Sequence, residues 1–259
     1  MPDHTIFNER PESQDRALKV IERLGYTIVP RSEAERKRGS RKAVLFTEEL
    51  QAFLSKQTYR FGSETRYFSG GAIARAMQAV DQNSAAGLYA ANKEIYELIC
   101  SGKSMEEELP DGTRQSFDIR YIDFEHPENN TFQVTDEFEV ERPNGRFARP
   151  DLVVLVNGIP LVVIECKKSS VDVMEGVAQN IRNWGEDYIP HLFRYAQLVM
   201  AMNPDKVLYG TCGTPAKYFV SWHEDNKDWL NDWCRKCSPD GQIREQDRAL
   251  ISLLHPERL

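Results

Sequence analysis

Apolar positions repeat with two different periods along this chain, and the change falls near residue 116. Before it the spacing is helical. Ala17, Leu18, Ile21 and Leu24 line one face of a segment over 12–24, and Gly25 supplies a stop. The runs AVLFTEELQAFLSKQ, GAIARAMQAV and GLYAANKEIYELICSG carry helical spacing through 43–102. Ahead of them, Arg31, Arg36, Lys37, Arg38, Arg41 and Lys42 crowd a stretch that reads as a solvated loop, with phosphate contact as its alternative use. From 116 onward strands are predicted over 116–124, 131–142, 147–156 and 160–168, separated by His126-Pro127, Pro143-Asn144-Gly145 and Asn157-Gly158. A helix over 172–184 follows, with Val173, Val177 and Ile181 inward. QLVMAMN and KVLYGTCG then read as two strands, and the aromatic, charged stretch from Asp225 reads as helical. The pattern predicts an α/β fold: a mixed sheet flanked by helices, with helical additions in the N-terminal half and at the C-terminus. Residues 1–221 form one unit with a helical insertion at about 43–102, and 222–259 a C-terminal helical segment.

Two of these strands carry charges that hydrophobic strands seldom accept without a reason. The first reads Arg149-Pro150-Asp151 and then Leu152-Val153-Val154-Leu155-Val156. The second reads Leu161-Val162-Val163-Ile164-Glu165-Cys166-Lys167-Lys168. A Pro-Asp at one strand start and a Glu-x-Lys at the end of the next is the PD-(D/E)xK signature, which points to a restriction-endonuclease-like core. Alternate strand residues share a face, so Glu165 and Lys167 lie together, roughly 7 Å apart at their α-carbons, while Cys166 points to packing. Converging carboxylates of Asp151 and Glu165 are hard oxygen ligands suited to Mg²⁺, and the Cys166 backbone carbonyl can add a ligand. Lys167 is placed to orient a water and to stabilise charge developing on a phosphate.

That chemistry imposes a condition on register. A plain Asn157-Gly158 hairpin pairs Val156 with Ile159 and turns Asp151 away from Glu165. The expectation is therefore a three-residue connection with Val156 opposite Pro160, or else a β-bulge beside Asp151.

With 259 residues, 41% hydrophobic and 28% charged, the chain can bury a substantial core. No apolar run reaches the length of a membrane span, and no membrane partner is expected. Five scattered cysteines suit a reducing cytoplasm. Cys234 and Cys237 form a lone C-x-x-C, read as ordinary thiols because a structural zinc needs two more ligands. Trp222, Trp229 and Trp233 read as packing. Gly102-Lys103-Ser104 is not a phosphate loop, since Glu97 stands where its first glycine belongs. The net charge of −7 is awkward for a DNA enzyme, whose grip depends on Lys and Arg.

The stretch RPDLVVLVNGIPLVVIECKKSS, preceded by GLYAANKEIYELICSG and YIDFEHPENNTFQVTDEF and followed by IPHLFRYAQLVMAMN and YGT, resembles the N-terminal region of the restriction (R) subunit of type I restriction–modification enzymes. The resemblance runs from about residue 9 to the end. It implies a Mg²⁺-dependent endonuclease for double-stranded DNA, joined to an ATP-driven translocase and working beside methylation and specificity subunits. No helicase motif occurs in this chain, so ATP is expected to serve only the full-length protein. It also implies metal ligation by Asp151 and Glu165 with Lys167 catalytic, help from a first-helix glutamate (Glu12, with Glu9 second), and DNA contacts from Gln179 and Lys168. The family's Gln-x-x-x-Tyr is broken here, because Asn183 stands four residues after Gln179 and Tyr188 lies further on. Two other readings share these residues: a nuclease-like docking module of the same complex, and a PD-(D/E)xK nuclease of a repair or RNA-processing system.

Overall fold

A computed structural model describes residues 12–81 and 87–259. The N-terminal half contains α1 (Glu12–Arg23), β1 (Thr27–Val29), α2 (Arg31–Arg38), α3 (Thr47–Ser55), β2 (Thr58–Phe61), β3 (Glu64–Tyr67), α4 (Gly70–Asp81) and α5 (Leu88–Ser101). Strands then dominate: β4 (Lys103–Glu108), β5 (Arg114–Ile119), β6 (Phe132–Asp136), β7 (Val140–Glu141), β8 (Phe147–Ala148), β9 (Leu152–Val156) and β10 (Ile159–Cys166). The rest is α6 (Val173–Asn183), α7 (Pro190–Phe193), β11 (Leu198–Asn203), β12 (Lys206–Gly210), α8 (Lys227–Cys237) and α9 (Glu245–Leu254).

Every residue of β9 and β10 is buried, as continuous apolar strands at the centre of a covered sheet must be. They occupy the middle of a six-stranded mixed sheet ordered β1-β6-β9-β10-β11-β12. β1 runs parallel to β6 and β10 parallel to β11, while the other three neighbours are antiparallel. α6 lies over β10, β11 and β12, and α1 joins α8 and α9 in a helical group that reaches β1, β6 and β12. The expected mixed α/β architecture is therefore present.

The β9–β10 connection differs from the expectation in an informative way. It is a two-residue turn, with Asn157 at φ 50° and Gly158 at φ 80°, and Val156 does face Ile159. Gly158 is required for a second reason: a Cβ there would stand 2.2 Å from the Phe46 carbonyl oxygen, whose residue hydrogen-bonds back to the turn. The register then shifts by one residue between Pro160 and Val162, so that Val162 pairs with Val154 and Ile164 with Leu152. The bulge is thus next to the turn and not beside Asp151. Pro160 is the physical reason, since it has no N–H for the ladder and a bulge is where a central strand tolerates that loss. Continuing the shifted register sets Asp151 opposite Glu165, the pairing the chemistry demanded.

Other expectations need correction. The stretch 31–42 is largely helix α2 rather than loop, and its cations are spent on carboxylates and carbonyls: Arg31 lies 2.8 Å from Glu139, Arg41 2.9 Å from Glu139, and Lys37 pairs with Glu49. The insertion over 43–102 is not purely helical, because β2 and β3 pair as a hairpin within it. β4 and β5 form a second hairpin that begins at Lys103, ahead of the strand predicted from 116. Cys234 and Cys237 are fully buried on α8.

Candidate active site

β10 emerges from the sheet at Glu165, and everything around that residue is arranged by neighbouring backbone. The Asp151 Oδ2 accepts a 2.7 Å hydrogen bond from the Cys166 N–H, which locks the first carboxylate across the strand pair. Glu165 is completely buried. Its Oε1 accepts from the Asn183 amide at 3.3 Å, and its Oε2 has no hydrogen-bond partner. The Lys167 Nζ stands 3.9 Å from that Oε2 and donates to the Gln179 Oε1 at 2.7 Å. Gly176 makes this proximity possible. A Cβ at this position would lie 3.0 Å from the Ala201 Cβ and 3.6 Å from both the Glu165 Cβ and the Lys167 Cε, so the glycine lets α6 close onto the acidic strand end.

α1 supplies a second support. The Ser13 hydroxyl donates to the Lys167 carbonyl at 2.8 Å. Gln14 donates to the Asp151 carbonyl at 3.2 Å and to the Glu137 carboxylate at 3.3 Å, while its own amide oxygen is buried without a partner. Glu137 adopts a left-handed backbone at φ 53°, uncommon for a residue with a side chain, and pairs with Arg149 at 2.7 Å. Its N–H meets the Asp151 carbonyl at 2.9 Å, so the strained residue abuts the catalytic candidate directly.

Burial raises the Asp151 carboxyl above its usual range, although the Cys166 N–H and the Lys167 charge oppose the rise. Glu165 is pushed well up, first by complete burial and then by the negative charge of Asp151. Without a cation the raised Glu165 carboxyl can hold its proton and share it with Asp151, and a bound cation would take that proton's place between the two carboxylates. The donor set is two carboxylates with a strand-end carbonyl, hard oxygens throughout, which suits Mg²⁺. Among the described residues no group of three or more His, Cys, Asp or Glu side chains forms a ready metal cage, so water and substrate oxygens would complete the sphere.

The fold therefore brings together Asp151, Glu165, Lys167 and Gln179. It does not gather every sequence candidate. Glu12 is 73% exposed and pairs with Arg244 at 2.7 Å, turned to the C-terminal helices. Glu9 lies outside the described residues, and Lys168 is exposed just beyond the strand. Ser13, Gln14, Glu137 and Asn183 were not anticipated. Asn183 was the most findable: four residues after Gln179 on a helix, it shares a face with it. It binds Glu165 through its side-chain amide.

With this geometry in view, residues 6–218 match the family described as type I restriction enzyme R protein N terminus. The chain is 26% identical over 225 residues to the HindI endonuclease subunit of a type I restriction enzyme from Haemophilus influenzae, a match covering 84% of this chain and 20% of that protein. It is 36% identical over 85 residues to the SsaAORF53P endonuclease subunit from Staphylococcus saprophyticus, covering 33% of this chain and 9% of the relative. A third relative, the SauCOLORF180P endonuclease subunit from Staphylococcus aureus, is 30% identical over 120 residues, covering 45% and 12% respectively. These relatives are several times longer than the part matched. The chain belongs to the family of type I restriction enzyme R protein N termini.

Proposed function

We propose that this chain is the endonuclease domain of a type I restriction enzyme R subunit, with a PD-(D/E)xK core that hydrolyses phosphodiester bonds of double-stranded DNA with the help of Mg²⁺. One observation carries the reading: Asp151 and Glu165 meet across a buried strand pair, and Glu165 Oε2 lacks a hydrogen-bond partner 3.9 Å from Lys167. Asp151 and Glu165, with the Cys166 carbonyl, would hold the ion. When bound, Mg²⁺ acidifies water and offsets charge on the phosphate. Lys167 orients the attacking water and stabilises the additional negative charge as the new P–O bond forms and the old one breaks. Gln179 fixes the ammonium direction through its 2.7 Å bond, and Asn183 fixes the Glu165 carboxylate. In this reading DNA arrives through an ATP-driven motor elsewhere in the full-length subunit, within a complex that also holds methylation and specificity subunits.

The test is restriction of unmodified phage by cells carrying the intact R subunit. Asp151→Ala and Lys167→Ala should each abolish restriction while the complex still assembles. Full restriction by both variants would refute the assignment.

A further inference from the structure

A net charge of −7 gives this chain little general attraction for DNA, so phosphates must be held locally. The hairpin β7–β8 leads directly into Pro150 and Asp151, and two acids beside it, Glu139 and Glu141, are already matched. Glu141 lies 3.5 Å from Lys42, and Glu139 pairs with Arg31 and Arg41. Arg142 and Arg146, by contrast, have no carboxylate partner among the described residues. The Arg142 guanidinium sits 3.8 Å above the Tyr188 ring, and its Nε donates to the Asp187 carbonyl at 3.1 Å. Arg182, in the last turn of α6, approaches the same ring at 5.7 Å. It immediately precedes Asn183, which holds Glu165, and its charge favours the ionised form of Glu165. Stacking on an aromatic ring orients guanidinium groups in advance, which is how arginine recognises phosphate at low entropic cost.

We propose that Arg142 and Arg182, organised around Tyr188, together with Arg146 on the turn of the same hairpin, clamp the sugar–phosphate backbone of duplex DNA beside the Asp151–Glu165 pair. The choice of occupant rests on the nuclease reading. An acidic protein surface would meet the same charges, but the hairpin is continuous with Asp151 and Arg182 with Asn183, so the cations flank the place where a scissile phosphate has to lie. Because the contacts are to phosphate, they carry position and not sequence. Glu186 and Asp187 are exposed in the same turn and set negative charge beside these arginines.

Fluorescence anisotropy of a short labelled duplex, titrated with this chain at several salt concentrations, tests the clamp. Replacing all three arginines with alanine should flatten the slope of log K against log salt by about 2.7, roughly a 40-fold difference across 50–200 mM. Arg146→Glu is the safest single variant, since the side chain is exposed on a turn, and it should weaken binding at low salt several-fold. Tyr188→Leu should give an intermediate loss, and Arg235→Ala, an exposed arginine of α8, none. Wild type and triple variant with equal affinity and slope, including no binding by either, overturn the proposal. So does unchanged DNA binding with lost assembly onto companion subunits, which would assign these arginines to a protein. Metal titration without DNA reads Asp151 and Glu165 separately. Lost clamp effects with normal metal binding remove the clamp alone; normal clamp effects without metal binding support it and remove the nuclease reading.

Discussion

Two of the places where the described residues bury charge are finished differently. At the junction of α1 with α9, Arg16 is 6% exposed and surrounded by acceptors: Asp247 at 2.7 and 2.8 Å, Asp240 at 2.8 Å, Ser238, and the Gln242 carbonyl. Its positive charge is met by negative charge, and its N–H groups have partners. At the end of β10 two carboxylates again face one cation, but their oxygens are not all supplied with donors. Asp151 and Glu165 bring two negative charges to one Lys167, burial raises both carboxyls, and Glu165 Oε2 stays unbonded. The first arrangement ties two helices together. In the proposed reading the second is completed by a cation, and its raised carboxyls are what such a site shows without that cation.

The largest expected effects separate the two places by type. Asp151→Ala should reduce restriction by at least about a thousandfold, comparable with losing a key electrostatic group, while leaving thermal unfolding of the chain nearly unchanged. Asp247→Ala should do the opposite. Stranding Arg16 in the α1–α9 junction should destabilise the chain by about 3–5 kcal/mol, read from chemical denaturation. If Asp151→Ala were the more destabilising of the two, the contrast would fail.

How much of this was readable beforehand depends on what each segment had to bury. β9 and β10 were legible because a chain rarely ends continuous apolar runs in Asp and Glu-x-Lys unless those charges do chemistry. The hairpin β2–β3 and the strand β4 were missed, while β5 was anticipated in part, because the missed strands are mostly exposed and polar, as in Lys103–Glu108, where Met105 and Glu107 alone turn inward. The register was anticipated in outcome and misplaced in cause. Asp151 does face Glu165, but Pro160 moves the bulge to the turn. On α1 the helix phase decided matters: Ser13 and Gln14 are buried against the strand ends, while Glu12 rotates outward to Arg244. A helical phase set by α8 and α9 is a long-range fact that local pattern does not contain.

A smaller effect sharpens the role of the unanticipated residues. Asn183→Ala should weaken divalent-metal binding about tenfold to a hundredfold, because it releases the Oε1 of a proposed ligand. Asn183→Asp should be worse than alanine, adding a third negative charge beside Glu165. Equal metal affinity across the series would reduce Asn183 to packing.

The smallest expected effect concerns pH. Glu165 binds its proton more tightly folded than unfolded, so the metal-free fold loses stability as pH rises above the ordinary carboxylate range of about 4.3. Glu165→Gln removes that loss. The variant should be more stable than wild type by on the order of 1 kcal/mol at pH 7–8 without metal, and the gain should vanish at acid pH. A variant destabilised at every pH would show that the carboxylate is structurally satisfied after all.

The central claim is that Asp151 and Glu165 together hold one divalent cation. Titration calorimetry with Mn²⁺ at pH 6 and pH 8 tests it most directly. The account predicts tighter binding at the higher pH with protons released on binding, since raised carboxyls must ionise to ligate, and no binding by Asp151→Ala. Equal Mn²⁺ binding by wild type and Asp151→Ala, with no proton release, would contradict it.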